Sequence, residues 1–581
     1  MKKLLLLFMV CVMIPLSSVF SQTFMDYVKE MRGDTAVIKD YNEAQQEINT
    51  LSQALALDTD PPAGRVYMLV SDGWYPNFSN PATKRSTVIV GEDNTILVNS
   101  TSQARPPLIT GYTPEGEATN TGSFNIQHNL TVKNCSVVPS DQNRSLGWSY
   151  FNGNKDSVRI TLQNNLFERT RWVFMNSGSR DIKWYLKNNY FVNMIGQPCR
   201  RNGGVIDVFA RQDTLWVENN THINAQGMMY KLRANQFNRV IVNHNTFVNM
   251  SSYVFSDLGS QSAMSVTNNI FVNCQVQPYG PINLDVGEED IDKLPTGLVN
   301  VYPDTAVHVE RKYLVDKNVI YWDPRLADIA DSASTLEINQ TPNWVSQMIT
   351  MNSRTQDMFD NDATYPYLTE GQWIEELPNF TDSQDLLTDW VDELYTFSLA
   401  TCDTNDKQGV LPDWRINNIG PDYYLYSDFP IPVDLSYDNE TLLTAGMGQF
   451  PVGDLNWFPE TKTEWLAQRD AEYAAIQNEL DTGVLGIEGS SVQPVTFQLQ
   501  QNYPNPFNPS TVITFTIPKS GNVTLKVYNS LGQEVATLIN GVKTAQTYNI
   551  TFDGSGLASG VYFYALKYDN NTISKKMILM K

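Results

Sequence analysis

Between residues 125 and 274 one motif recurs, and it limits what this chain can fold into: apolar residues in alternation, a pair of asparagines, an aromatic residue, then another asparagine. It reads "IQHNLTVKNC" around Asn129, "ITLQNNLFERT" around Asn165, "WYLKNNYFVNM" around Asn189, "LWVENNTHIN" around Asn220, "VIVNHNTFVNM" around Asn245 and "SVTNNIFVNC" around Asn269. Successive markers lie 36, 24, 31, 25 and 24 residues apart, and a weaker copy at Asn318 follows 49 residues later, a distance that suggests two turns. A repeat of this length marks an architecture of stacked units. The units alternate with period two and are rich in Val, Ile, Phe, Tyr and Trp, so they are strands, not helices.

Asparagine is a poor strand former and costly to bury alone. In stacked coils each residue meets its counterpart one coil away, about 4.8 Å distant. Corner asparagines can then bond each other in a ladder through Asn129, Asn165, Asn189, Asn220, Asn245 and Asn269, while the valines and aromatics line the interior. An irregular β-sandwich with Asn-rich turns is the alternative.

Together with "PPAGRVYMLVSDGWYPN" and "TVIVGEDN", these corners resemble the right-handed parallel β-helix proteins of the pectate-lyase-like class over roughly residues 50–330. The expected fold class is therefore all-β: a parallel β-helix over 61–330 with an N-terminal capping helix, read over 36–56 within segment 22–60, and a small C-terminal β-sandwich. Residues 331–483 read as irregular and helical, with helical periodicity over 461–481, packing on or capping the β-helix. "VLGIEGSSVQP" around 484–493 reads as a linker.

Residues 494–581 alternate in short strands with Gly and Asn turns. Asn505-Pro506-Phe507-Asn508-Pro509, Leu531-Gly532-Gln533-Glu534-Val535, Gly560-Val561-Tyr562 and the terminal lysines resemble the C-terminal sorting domain of the type IX secretion system. That resemblance implies export across the outer membrane and the secretion machinery as partner; a carbohydrate-binding sandwich is the alternative. This segment carries net +4, against −28 for residues 22–493 and −22 for the whole chain. The change of sign supports a boundary in the linker.

The first residues, "MKKLLLLFMVCVMIPLSSVFSQTF", have the charged, apolar and small-residue layout of a signal peptide over 1–21, with cleavage expected between Ser21 and Gln22. An uncleaved anchor is the alternative, and no other stretch is long and apolar enough to span a bilayer. Strong negative charge argues against nucleic acid and anionic membranes as partners. Cys135 and Cys274 follow Asn129 and Asn269 at nearly one offset, several coils apart, so they are expected not to bond.

The β-helix resemblance implies an extracellular polysaccharide as partner, bound along the stacked strands and, in a lyase, cleaved. A lyase of that class needs a base and a cation, often calcium, so no cofactor is assigned and calcium is the candidate; a hydrolase needs two carboxylates. Aligning residues 172–177, 204–209, 228–233 and 253–258 places Asp207 below Lys231, with Arg233 and Arg211 as further catalytic candidates. Arg200, Arg201 and Asp257 are substrate-binding candidates. A rung-to-rung ion pair is the plainer account of Asp207 and Lys231. Calcium could be held by Glu288, Glu289, Asp290 and Asp292, or by Asp403, Asn405 and Asp406, though neither has EF-hand spacing. Trp74, Tyr75, Trp148 and Trp184 are candidates for stacking on sugar rings. The rival reading is a non-catalytic surface or adhesion scaffold.

Overall fold

The structure, a computed structural model, describes residues 22–581 apart from 93–103, 118–122, 142–148, 171, 195–203, 226, 233–235, 257–260, 277–296, 302–307, 328–347, 382–390, 392–432, 486–496, 503, 518–520, 544–545 and 569–570. Each complete coil contributes one strand to each of three sheets, as in Gln212–Glu218, Thr221–Ala225 and Tyr230–Lys231 before Phe237–Asn243 begins the next coil. Sheet 1 has twelve strands, sheet 2 ten and sheet 3 six, and all but the first pairing in sheet 1 are parallel. This is a parallel β-helix.

The recurring asparagines each have a distinct place in the coil. The first of each pair turns the corner from sheet 1 to sheet 2 in the left-handed conformation: Asn134, Asn164, Asn188, Asn219, His244 and Asn268 have φ between 52° and 56°, a region asparagine tolerates better than branched residues. The second is buried and bonds its counterpart. Asn165 Nδ2 donates to Asn189 Oδ1 (3.1 Å), Asn189 to Asn220, Asn220 to Asn245, Asn245 to Asn269 and Asn269 to Asn318, each of the last four at 3.0 Å. Each Oδ1 also accepts a backbone N–H from the preceding rung, and each Nδ2 also donates to a carbonyl such as Leu186 O or Val217 O. The amides are satisfied, which removes the cost of burying them. The last asparagine of the motif forms a second line, Asn273 to Asn249 (3.3 Å) and Asn249 to Asn224 (3.0 Å), at another left-handed corner.

Two positions differ from the sequence reading. Asn129 stands before its strand and accepts Arg159 N–H; the corner place belongs to Cys135, whose N–H donates to Asn165 Oδ1 (3.1 Å). Asn318 bonds Asn269 directly, so the 49-residue step is one coil with a long excursion and not two turns. Cys135 and Cys274 are both free and buried. They do not share one edge, since Cys135 occupies the corner position while Cys274 lies at the end of a sheet 2 strand.

The aromatic residues after the corners stack inside. Phe167, Phe191, His222, Phe247 and Phe271 form a column with centroids 4.8, 5.0, 4.3 and 5.1 Å apart. At the N-terminal end, the expected helix over 36–56 is shorter, because Thr35–Ile38 pair as a strand with Val66–Leu69; helix α1 covers only Thr50–Leu57. The three apolar residues Ala36, Val37 and Ile38 are all buried, and their strand pairs antiparallel with Val28–Arg32 on its other edge, a hairpin that covers the first coil. At the other end the β-helix continues past 330, since Leu368–Glu370 and Trp373–Glu375 add a strand each to sheets 1 and 2, with the short helix α2 (Ser353–Phe359) before them.

The outer faces of two sheets are clad by the chain itself. Sheet 2 presents Leu166, Tyr190, Ile223, Val248 and Ile270 to Val433, Tyr437, Leu442, Val452 and Trp457. Helix α3 (Pro459–Thr482) begins with Pro459, stops at Gly483 in the left-handed conformation, and lays Trp465, Tyr473, Ile476 and Leu480 on Ile241 and Leu314 of sheet 1. The C-terminal residues form a three-stranded and a four-stranded antiparallel sheet enclosing a separate core from Phe497 to Leu579.

Candidate functional site

Among the described residues, sheet 3 has no such cladding. Its outward row is Asn125, Asn152, Asn176, Asp207 and Lys231, paired rung to rung, and at about 4.8 Å per rung it extends for about 19 Å. Asp207 pairs with Asn176, not Met175, so the expected alignment of 172–177 was displaced by one residue. Val173, Phe174 and Met175 are buried in succession, so the strand lacks strict alternation there.

Asp207 and Lys231 are brought together, with Nζ 3.9 Å from Oδ2. Trp172 Nε1 donates to the same oxygen at 2.9 Å. Asp207 is fully buried although it points outward, and the Lys231 side chain keeps 13% exposure. The half-buried Trp172 packs edge-on against Phe209 (5.8 Å), which is 47% exposed. Upstream, Ser149 Oγ donates to Asn152 Oδ1 and Asn154 Nδ2 to Asn125 Oδ1. The row is a polar track with an aromatic flank. Among the described residues the row carries one carboxylate, Asp207, whose oxygen is held by Trp172 and Lys231.

Arg211 lies apart from this pair, exposed at the next corner, where Nη2 bonds Asp181 Oδ1 at 2.7 Å. Arg200, Arg201, Arg233 and Asp257 lie outside the described residues, as do Ser21 and both acidic loops considered for calcium, Glu288 to Asp292 and Asp403 to Asp406. No group of three or more His, Cys, Asp or Glu among the described residues could hold a metal ion.

The aromatic candidates separate by strand phase. Tyr75 and Trp184 face inward and are buried, Tyr75 donating to Ile38 O and Trp184 to Gln212 Oε1. Trp74 is half-buried with its indole on Thr110 Oγ1, and Trp148 lies outside the described residues. In "KWYLK" the buried Trp184 and Leu186 leave Tyr185 outward; counting the alternation from the valines and leucines would have singled it out.

The C-terminal module has a known counterpart. Residues 501–580 match the secretion system C-terminal sorting domain. This domain marks the chain for type IX export, to the cell surface or the extracellular space, and engages the secretion machinery. No curated protein and no solved structure matches the chain. Among the described residues no helix is long and apolar enough to cross a membrane.

A second polar cluster lies where α3 meets the β-helix. Glu218, nearly buried, receives Arg469 Nη2 and Tyr473 OH, each at 2.5 Å, with Lys187 Nζ at 3.5 Å. Burial alone would raise its carboxyl, but Lys187 and Arg469 hold it below the usual range. Asp454 accepts from Thr221 Oγ1 (2.7 Å), and burial pushes its carboxyl up to about 6 against the pull of Lys462. These groups hold the cladding to the coils.

Proposed function

We propose that this exported protein binds an extended extracellular polysaccharide along the outer face of sheet 3, in the manner of the pectate-lyase-like class it resembles, and does so without cleaving it. The observation that carries the reading is the polar row Asn125, Asn152, Asn176 and Lys231, free of cladding among the described residues, with Trp172 and exposed Phe209 at its side. Amides and an ammonium supply donors and acceptors for sugar hydroxyls, and an aromatic flank supplies an apolar surface. Asp207 serves the row from below: it fixes Trp172 and Lys231 in place.

The test is retention of the chain on a panel of immobilised polysaccharides, run beside an absorbance assay for unsaturated product with and without chelator. Lys231→Ala and Phe209→Ala should each weaken retention, with no product on any substrate. Product lost in Asp207→Ala and Lys231→Ala would refute the non-catalytic part. Retention on no polysaccharide would leave the rigid amide-bonded stack as a scaffold.

A further inference from the structure

The strap that clads sheet 2 runs into helix α3 through "DLNWFPETK", residues 454–462. Asp454 caps a 3₁₀ turn, Leu455–Trp457, by accepting Asn456 N–H at 2.9 Å; Pro459 then starts the helix, and Lys462 N–H reaches back to Phe458 O at 2.7 Å. This double turn folds three side chains onto one another. Asn456 Nδ2 donates to Asp454 Oδ1 at 2.7 Å, and Lys462 Nζ donates to Asn456 Oδ1. The coils hold the group from below. Asn219 O accepts Asn456 Nδ2 at 3.0 Å, Asn188 Oδ1 accepts Lys462 Nζ at 2.8 Å, and Thr221 Oγ1 donates to Asp454 Oδ2 at 2.7 Å. Asp454 and Asn456 are buried.

An amine in this place is poorly suited to be an ionic clamp. Under α3, Arg469 and Lys187 share Glu218, and Lys312 meets Asp481. Lys462 instead has two amide oxygens and, among the described residues, no carboxylate within ion-pairing distance, because both oxygens of Asp454 are taken by Asn456 and Thr221. Burial pushes the Lys462 amine below its ordinary value and the Asp454 carboxyl up to about 6. The uncharged forms are thus favoured at both: a free amine touching an amide, and a carboxylic acid touching the nitrogen of that amide. A nucleophile with its lone pair free, a fixed electrophile and an acid for the leaving group are what exchange of an amide requires.

We propose that Lys462 and Asn456 join in an intramolecular amide bond, with Asp454 as the catalytic acid. Nζ attacks Asn456 Cγ and the Cγ–Nδ2 bond breaks. Asp454 gives Nδ2 the proton with which it leaves as ammonia, and the carboxylate takes a proton back from Nζ. One amine and one primary amide become one secondary amide and one ammonia, with no oxidant or cofactor. The hydrogen left on Nζ faces Asn188 Oδ1, the acceptor it already has. The groups touch in the folded chain, so folding alone supplies the proximity that the step needs. The product closes a ring from residue 456 to 462 over the corners at Asn188 and Asn219, and fixes the turn by which the cladding passes from sheet 2 to sheet 1.

The test is the mass of tryptic peptides from the chain 22–581, kept folded at neutral pH before digestion. An amide at Lys462 removes the ammonium that trypsin needs, so residues 416–469 should stay in one peptide, lighter by one ammonia, about 17 Da. Fragmentation of that peptide should yield no ions from breaks between 456 and 462. Lys462→Arg and Asp454→Asn should each restore both the cut after position 462 and the full mass. The proposal is overturned if the parent is cut after Lys462 into peptides of full mass, a measurement that needs no variant to fold. It is also overturned if the ammonia is still lost in Lys462→Arg, which would mean that an asparagine cyclises by itself. A linked peptide in Asp454→Asn would overturn the part given to Asp454.

Discussion

His222 stands where the interior column otherwise uses phenylalanine, between Phe191 and Phe247, and His222→Phe isolates one titrating group in a large protein. The ring is fully buried, with Nε2 2.9 Å from Tyr230 OH. Burial pushes its pKa down from 6.5 to about 3. A histidine depressed in the folded state takes up its proton first in the unfolded chain. Stability is therefore complete above about pH 6.5 and falls by about 1.4 kcal/mol per pH unit as pH drops toward 3. Between pH 7 and 4.5 the loss is roughly 2.5 kcal/mol.

Phenylalanine matches the column and cannot titrate, but it leaves Tyr230 OH without this partner, at a cost of about 1 kcal/mol. The variant should be the less stable protein at pH 7 and the more stable one at pH 4.5, with the curves crossing between pH 5 and 6. Urea unfolding followed by tryptophan emission measures this in the β-helix body alone, because the last of the 12 tryptophans is Trp465 and the C-terminal domain has none. Other groups cancel in the difference between the two proteins. A difference that stays constant within about 0.5 kcal/mol from pH 7 to 4.5 would refute a neutral, desolvated His222.

Asp454 has the opposite sign: its carboxyl is raised to about 6, so its protonated form favours folding and stability falls as pH rises from about 4 to 6. Asp454→Asn should gain roughly 2–3 kcal/mol on the parent between pH 4 and pH 7 in the same unfolding assay. Asn220→Ala strips partners from Asn189 N and Nδ2, Asn245 Oδ1 and Leu186 O; at about 1 kcal/mol for each lost bond, a loss of about 3–5 kcal/mol is expected, whereas Asn176→Ala on the outer row should cost under about 0.5 kcal/mol. Arg469→Ala leaves Glu218 buried with Lys187 and should cost about 2–4 kcal/mol, part of which a second change, Glu218→Gln, recovers. Removing residues 494–581 should leave the urea midpoint of the body unchanged, because the C-terminal core is closed on itself.

Period and composition made the β-helix legible, since a strand buried on one side cannot slip by one residue without exposing its apolar set. The same rule accounts for the errors. Around Asn129 two asparagines compete for the corner, and only the alternation Leu130-Thr131-Val132-Lys133 reveals that Asn134 and Cys135 hold it. In 172–177 three successive buried residues, Val173 to Met175, hide the phase, and the strand begins at Val173, one residue later than the alignment took it. Asp207 and Lys231 could be paired from sequence, but not the burial of Asp207, which depends on Trp172 reaching across from the preceding coil. The anchoring of α3 and of the strap before it was beyond reach, because contacts such as Thr221 to Asp454 and Glu218 to Arg469 join residues 233 and 251 positions apart.

That cladding decides where recognition can occur. Sheet 2 is sealed by apolar contact from Leu166 to Val319, and the C-terminal half of sheet 1 is sealed by α3 over charged anchors that would cost several kcal/mol to expose. Among the described residues, what lies outside this cladding is the sheet 3 row and the N-terminal half of sheet 1. The segments 195–203, 233–235 and 257–260, with Arg200, Arg201, Arg233 and Asp257, adjoin sheet 3 strands in sequence. A charge reversal at any of these four should therefore change retention on the immobilised polysaccharides if sheet 3 carries the glycan, and retention equal to the parent's in all four would count against that face.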